Sequence, residues 1–397
     1  MQIPFSPPDV RDEDIDLVVQ VLKSGWITSG PIGEEFRHEL TEYCDSGDTL
    51  LVNSATAGLE TALRLLGVGP GDEAIVPAYA YTASAAVIAH VGATIRMVDT
   101  APGSYFVAPE TWVDAVTDRT KAIIPVDLAG VPVDVDAIRA ALLSKISLFS
   151  PRNRVQEAIA RVAVIVDGAH SLGAKRAGLH AGNIGDFTAF SFHAVKNLTT
   201  AEGGALTWRK GLPVDHDELM RLAKMTILHG QSKSALEKSK IGSWEYDIAF
   251  PGYKMNMPDI TAALGLSQLR RYDSVLDRRR QIVEAYDAAL LPLGFESLAH
   301  VGEDWESSRH LYMLSRPGWT EADRNAFIVE MAKAGVSCNV HYKPLPMLTA
   351  YRDLGFDIRD YPNAYAQYEK MLTLPLHTVL TDEQVQYVTD TAASIVS

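Results

Sequence analysis

The chain is poor in cysteine: of 397 residues, only Cys44 and Cys338 carry thiols. They are far apart and lack metal-ligand spacing, which argues against a disulfide framework or a thiolate zinc site and suggests a reducing, cytoplasmic setting. Positive charge is also short, 36 Lys and Arg against 50 Asp and Glu, for a net charge of −14. Phosphate-backbone recognition needs a basic face, so a nucleic-acid partner is not expected. No apolar run approaches the ~18 residues of a membrane span, so no membrane association is expected either. The first residues, MQIPFSPPDVRDED, have no apolar core and do not read as a secretory leader. Repeats and low-complexity tracts are absent as well. What remains is an ordinary globular composition, too long for one small core.

Short apolar runs alternate with helix-like segments over the first two hundred residues. Strands are predicted at 50–53, 73–78, 94–99, 121–127, 162–170, 186–193 and 204–208. Helices are predicted at 54–67, opened by Ser54, around 82–91, and at 134–143 with Asp134 as cap. This alternation predicts an α/β fold with parallel pairing and a sheet covered on both faces. Residues 143–161 read as a surface excursion plus a helix. Residues 209–257 read as polar and irregular, a long loop of the kind that often carries function. A helix begins at Met257 and runs into a charged one containing Arg278, Arg279 and Arg280. Beyond it a smaller α/β unit is expected: a strand near 310–315, a helix over 321–334 and a strand near 336–342. The expected division is a large domain over 1–257, with an N-terminal loop over 1–30, and a smaller domain over 258–397.

In open parallel sheets ligands bind at the carboxyl ends of the strands, and several polar residues fall there. NSATAG (53–58) opens a helix after a strand, with backbone N–H groups and a positive dipole end suited to a phosphate. Ser54 is equally explained as a plain N-cap. Asp167 ends the apolar run VAVIVD, where a carboxylate needs a cationic or N–H partner. It could cap the turn that follows or hold a protonated ring nitrogen. His170, three residues on, could be a core histidine or a wall of the same pocket. Lys196 lies just beyond the next strand, so adjacent strand ends would bring it to Asp167. A salt bridge is the simple account. The sharper one is a lysine that holds pyridoxal 5'-phosphate (PLP) through its amine, with the aspartate on the pyridinium nitrogen. AYAYTAS (78–84) offers Tyr79 and Tyr81 as aromatic platforms, and Tyr79 could equally be core.

The chain resembles the DegT-like nucleotide-sugar aminotransferases, PLP enzymes of fold type I in the aspartate aminotransferase superfamily. The motifs that carry this are SGWITSGP (24–31), NSATAGLETALR (53–64), VGPGDEAIVPAYAYTAS (68–84), TKAIIPVDLAG (120–130), VDGAHSLGA (166–174), FSFHAVKNLTTAEGGA (190–205), LHG (228–230), ALGLSQL (263–269), VHYKPL (340–345) and LPLHTVLT (374–381). The resemblance implies a large, mostly parallel sheet sandwiched by helices plus a smaller C-terminal α/β domain. It makes Lys196 the residue that carries PLP and later moves a proton, with the pyridoxamine 5'-phosphate form between half-reactions. Asp167 matches the partner of the pyridine nitrogen, His170 the neighbour of the 3′ oxygen and Tyr81 the stacked aromatic. Ala55 and Thr56, with Ser54 and Ser191, match the phosphate donors. His341 and Tyr342 match a segment lining the sugar site, and Trp26 and Thr28 a loop near it. In GYKMNMPD (252–259), Lys254 stands where the family carries an asparagine that reaches the phosphate from the partner subunit, and Asn256 stands at its arginine position.

A related branch, the 3-dehydratases of keto-deoxysugars, has histidine at the position of Lys196, so the lysine implies transamination. The resemblance implies a cytoplasmic homodimer with its active site at the subunit interface. The expected reaction converts a nucleotide-linked 4-keto sugar, a UDP-4-keto-6-deoxy-N-acetylhexosamine, into its 4-amino sugar with L-glutamate as donor, for surface glycan assembly. A 4-keto-pentose aminotransferase, a C3 aminotransferase on a dTDP-3-keto sugar, and a PLP-binding sensor or scaffold are the alternatives.

Overall fold

The computed structural model describes residues 1–233 and 245–396. Seven strands form the main sheet: β1 (Asp48–Val52), β2 (Glu73–Pro77), β3 (Thr94–Val98), β4 (Thr120–Ile123), β5 (Ala163–Asp167), β8 (Phe187–Ser191) and β9 (Gly204–Trp208). Their order is β1-β9-β8-β5-β4-β2-β3. Side chains alternate across the sheet as a period of two demands. Val76, Ile124 and Ile165 enter one core with Leu59 and Leu63 of the helix Ala55–Leu65. Ile75, Ile123, Val164 and Val166 enter another with Trp112 and Ile138. Both faces are therefore covered, which is why β2, β4 and β5 are buried along their whole length.

The expectation of parallel pairing needs one correction. Strand β9 runs antiparallel to both β8 and β1. The connection 192–203 contains no helix and is too short for a crossover, so the chain returns as a hairpin. The long irregular region expected over 209–257 also needs correcting, because it contains the helix His216–Ile227. Asp215 caps it, accepting from the N–H groups of Asp217 and Glu218 at 3.0 and 3.1 Å. Leu219, Met220, Ala223 and Ile227 recur at helical spacing and are buried. The rest of that loop lies partly outside the described residues, at 234–244.

A three-stranded antiparallel sheet, β10 (Glu296–Ser297), β12 (Tyr312–Ser315) and β13 (Met371–Leu374), centres the C-terminal unit. Helices Tyr272–Leu290, Glu321–Lys333 and Asp382–Val396 pack on it through Ile282, Tyr286, Phe327, Met331 and Val388. Ile3 belongs to this core: its N–H donates to Gly335 O and its carbonyl accepts from Ser337 N. The helix Asp259–Arg270 instead packs Ala262, Leu266 and Leu269 with Phe36, Leu40 and Phe192. Residues 336–342 do not form the expected strand. Val336 bridges only to Ile3, and Asn339 only to Thr373 at the outer edge of β13. A third small sheet joins β6 (Lys175–Arg176), β7 (Leu179–His180) and β11 (Trp305–Glu306). Among the described residues no helix is long and apolar enough to cross a membrane.

Candidate active site

The carboxyl ends of β1, β2, β5 and β8 and the start of the reversed β9 lie at one end of the main sheet. There a cavity of about 410 Å³ opens, walled also by the C-terminal unit. Ser54, Ala55, Thr56, Tyr81, Asp167, His170, Ser191, Lys196, His341 and Tyr342 all line it. Trp26, Thr28 and Lys254 do not. Trp26 Nε1 donates to Ser29 O at 3.2 Å, and Thr28 O accepts from Asp259 N at 3.1 Å. Lys254 Nζ bonds Asn256 Oδ1, and Asn256 Nδ2 reaches Ser29 Oγ at 2.6 Å. These residues form a separate patch beside a groove of about 500 Å³ lined by Ser29, Gly30 and Asn256.

Adjacent parallel strands bring Asp167 and Lys196 together. Asp167 ends β5 opposite Ala189 of β8, and the loop after β8 carries the lysine. The Lys196 N–H donates to His193 O at 2.8 Å, which folds the loop tightly. Asp167 is buried; its Oδ2 accepts from Ser84 Oγ at 2.5 Å and its Oδ1 from Ala169 N at 3.2 Å. Burial raises its pKa, against the pull of those hydrogen bonds and of the Lys196 charge. Burial pushes the Lys196 amine down to about 8, with Asp167 opposing that shift. A buried carboxylate with two donors and a nearby cation suits a protonated ring nitrogen, and an amine lowered toward neutrality suits a nucleophile.

His170 is a neutral link in the opposite wall. The Ala129 N–H donates to Nδ1 at 3.2 Å, so the ring proton sits on Nε2, which donates to Tyr342 Oη at 3.0 Å. Burial, then the Lys196 charge, holds its pKa well below the usual imidazole value. His341 is likewise pushed down to about 4, by burial first. Tyr79 proves to be core: it is 1% exposed, donates to His341 O at 3.0 Å and accepts from Tyr342 N at 3.1 Å. It braces the segment that carries those two residues. Tyr81 is 56% exposed and sits 5.5 Å from the Tyr342 ring, open to the cavity.

Ser54 performs the capping role, accepting from Ala57 N at 3.1 Å. The amides of Ala55 and Thr56 in the same first turn have no helical acceptor and are available to an anion. Gly204 makes this cradle possible. A Cβ there would lie 2.5 Å from the Ser54 carbonyl carbon and 2.6 Å from Ala55 N, so only glycine lets β9 pass this close. Cradle, lysine, buried carboxylate and open aromatic together fit the phosphate, aldehyde, ring nitrogen and ring face of PLP.

Several contributors escaped the sequence reading. Phe5 and His310 line the cavity from distant parts of the chain, and no local pattern marks them. Ser84 lies within AYAYTAS, yet only the fold aims it at Asp167. Asp127 ends an apolar run just as Asp167 does; it is buried, accepts from Val133 N at 2.9 Å, and has its pKa raised to about 7 by burial. His193 and Glu202 face each other across the rim at 3.7 Å.

Fold and site define a PLP-dependent aminotransferase of fold type I. Residues 8–393 match the DegT/DnrJ/EryC1/StrS aminotransferase family, and the chain belongs to that family. It is 36% identical over 400 residues to the spore coat polysaccharide biosynthesis protein SpsC of Bacillus subtilis strain 168, covering 99% of this chain and 97% of SpsC. Among solved structures it is similar to Spr1654 from Streptococcus pneumoniae in its PMP form, assigned as a sugar aminotransferase. There the TM-score is 0.97 and the identity 49%, covering 100% of this chain and 99% of the other. Helicobacter pylori PseC, an aminotransferase involved in pseudoaminic acid biosynthesis, matches with TM-score 0.86 and 26% identity over 99% of both chains.

Proposed function

We propose that this enzyme aminates a nucleotide-linked 4-keto sugar, a UDP-4-keto-6-deoxy-N-acetylhexosamine, using L-glutamate as amino donor. The observation that carries the reading is the joint cavity: Lys196, Asp167 and the Ser54 cradle on one side, His341 and Tyr342 on the other. Bound PLP supplies an electron sink and stores the donor's amine between two half-reactions. The chain's own residues do the rest. Lys196 takes and returns a proton at its Nζ, and its lowered pKa keeps both protonation states accessible near neutral pH. Asp167 would pair with a protonated ring nitrogen, whose charge offsets the burial that raises the carboxyl's pKa. His170 and Tyr342 present fixed polar atoms on the facing wall. The amides of Ala55 and Thr56, with the hydroxyls of Ser54, Thr56 and Ser191, would hold the phosphate.

The relatives support a role in glycan assembly, since SpsC is named for spore coat polysaccharide and PseC for pseudoaminic acid. The patch formed by Trp26, Thr28 and Lys254 supports a homodimer in which each chain completes the partner's site, because these residues do not reach their own cavity.

The test is a panel of UDP-, dTDP- and GDP-linked 3- and 4-keto sugars offered to the glutamate-treated enzyme, with the new amine located by NMR. Amination at C4 of the UDP sugar is expected. Amination at C3 of a dTDP sugar would replace this reading. Bound PLP that responds to no amino acid would point to a sensor.

A further inference from the structure

His310 lines the cavity that holds Lys196 and Asp167, is 4% exposed, and packs its ring 4.3 Å from that of His170, centroid to centroid. The residue after the lysine fixes its tautomer. Asn197 Nδ2 donates to Ser308 O at 2.9 Å. A carbonyl only accepts, so the amide is oriented, and its oxygen lies 2.9 Å from His310 Nδ1. The ring proton therefore sits on Nδ1. Burial, then the His170 and Lys196 charges, holds the pKa well below the usual imidazole value, so the ring is neutral and Nε2 is a lone pair. The backbone is held too, since the His310 N–H donates to Ala129 O at 2.9 Å. Among the described residues Nε2 has no partner, yet it is not sealed in protein as the unpaired His377 Nδ1 is. Its free side is the cavity.

A fixed acceptor in a buried wall calls for a donor. The neighbouring ring does not supply one, because His170 gives its proton to Tyr342 Oη at 3.0 Å. Of the groups that the aminotransferase reading brings into the cavity, most are acceptors. Phosphate oxygens accept, and the N–H of a PLP ring would be answered by Asp167. The carboxylates of glutamate only accept, so a lone pair repels them, and its amine passes to the cofactor. The hydroxyls of the keto sugar remain. The Lys196 charge acts on His310, so this acceptor lies near the place where the carbonyl reacts. That selects a hydroxyl on a carbon next to the carbonyl. In a 4-keto-6-deoxy-N-acetylhexosamine, C5 carries a methyl group and the ring oxygen, which leaves the hydroxyl on C3. The amide N–H on C2 is one carbon farther away.

We propose that His310 is a specificity-determining residue: its Nε2 accepts a hydrogen bond from the hydroxyl beside the keto carbon, the C3 hydroxyl of the sugar. Asn197 is its positioning residue, since it holds the proton on Nδ1 and keeps the lone pair toward the cavity. The inference rests on the sugar-aminating reading above and adds to it the part of the substrate that is recognised.

Two measurements test this. The glutamate-treated holoenzyme is mixed with UDP-4-keto-6-deoxy-N-acetylhexosamine or with its 3-deoxy counterpart, and the return of the PLP spectrum reads the sugar half-reaction. Wild type should prefer the hydroxylated sugar by at least about tenfold in kcat/KM, because the analogue leaves a buried acceptor unpaired. His310→Phe keeps a ring against His170 but has no lone pair, and should lose that preference. It should also slow the sugar half-reaction at least about tenfold more than the glutamate half-reaction. His310→Gln, whose amide oxygen can stand in for Nε2, should keep the preference. Equal handling of the two sugars by wild type overturns the proposal, as does a preference that persists in His310→Phe. Equal slowing of both half-reactions overturns it too, since the histidine would then act through Lys196. The second measurement needs no variant to fold. A crystal structure of the wild-type holoenzyme with the UDP-linked 4-amino sugar should place the C3 hydroxyl within hydrogen-bond distance of Nε2; a water, the lysine amine or a cofactor atom in its place overturns the contact. If wild type aminates no UDP-4-keto sugar, the proposed substrate fails instead. The same two measurements then apply to the keto sugar it does aminate, paired with the analogue that lacks the adjacent hydroxyl.

Discussion

Lys196 shows how much a residue gains from its surroundings. By itself, a lysine after an apolar run is most often solvated charge. Here, burial lowers its pKa to about 8 from 10.5, so the folded chain releases a proton that the unfolded chain keeps. Below about pH 8 that buried charge costs stability in full. The cost fades as pH rises toward 10.5, so the apoprotein should gain stability across this window relative to Lys196→Met, as measured by urea titration at a series of pH values. In the proposed function Lys196 attaches PLP covalently, and that attachment needs the neutral amine. Its rate, followed by growth of the visible absorbance band, should rise about tenfold between pH 7 and a plateau above pH 9. An unperturbed lysine would still be climbing there. Lys196→Ala should lose that band and slow half-transamination by at least about a hundredfold, while the fold, checked by circular dichroism, persists. Asp167 and Lys196 stood out in the sequence as candidates because they fall after neighbouring apolar runs and within motifs that resemble the family's. Ser84, which holds Asp167 at 2.5 Å, did not, because a serine near a helix start is too common to signal anything.

At the scale of elements, the strand positions were legible and the direction of one strand was not. The apolar run GALTW marks β9 over Gly204–Trp208, but only pairing with β8 and β1 shows that it runs backward. Its first residue then meets the helix that begins at Ala55. Gly204→Ala should push that helix start away, because the new Cβ would press on backbone rather than on a movable side chain. We expect a loss of about 1–3 kcal/mol by urea denaturation together with weaker PLP binding by equilibrium titration. Ser54→Ala supplies the contrast. It removes one cap hydrogen bond and should cost about 1 kcal/mol without displacing the amides of Ala55 and Thr56. The helix His216–Ile227 was missed for a different reason: charged residues outnumber apolar ones in its first turn, and its buried stripe appears only against the β1 side of the sheet.

At the scale of the molecule, the chain's two ends meet. Ile3 packs into the C-terminal core beside Val336, and Phe5 walls the cavity that holds Lys196 and Asp167. Nothing in MQIPF announces this, since an apolar residue near a terminus has no period to read. Ile3→Ala should cost about 2–4 kcal/mol by thermal or urea unfolding, a core-sized penalty for a residue that would be dispensable in a loose terminus. The hairpin formed by β8 and β9 has a consequence of its own. Lys196 and Gly204 sit on one continuous stretch of chain, closed by pairings from Ser191↔Gly204 to Phe187↔Trp208. The other parts of the site come from strands that must be gathered from far along the sequence. Contacts of short sequence separation cost less loop-closure entropy than distant ones. The pairings of β8 with β9 therefore hold the lysine and the glycine beside the Ser54 turn in fixed register at little cost in chain entropy, whereas Asp167 and Tyr81 must be gathered from farther along the chain.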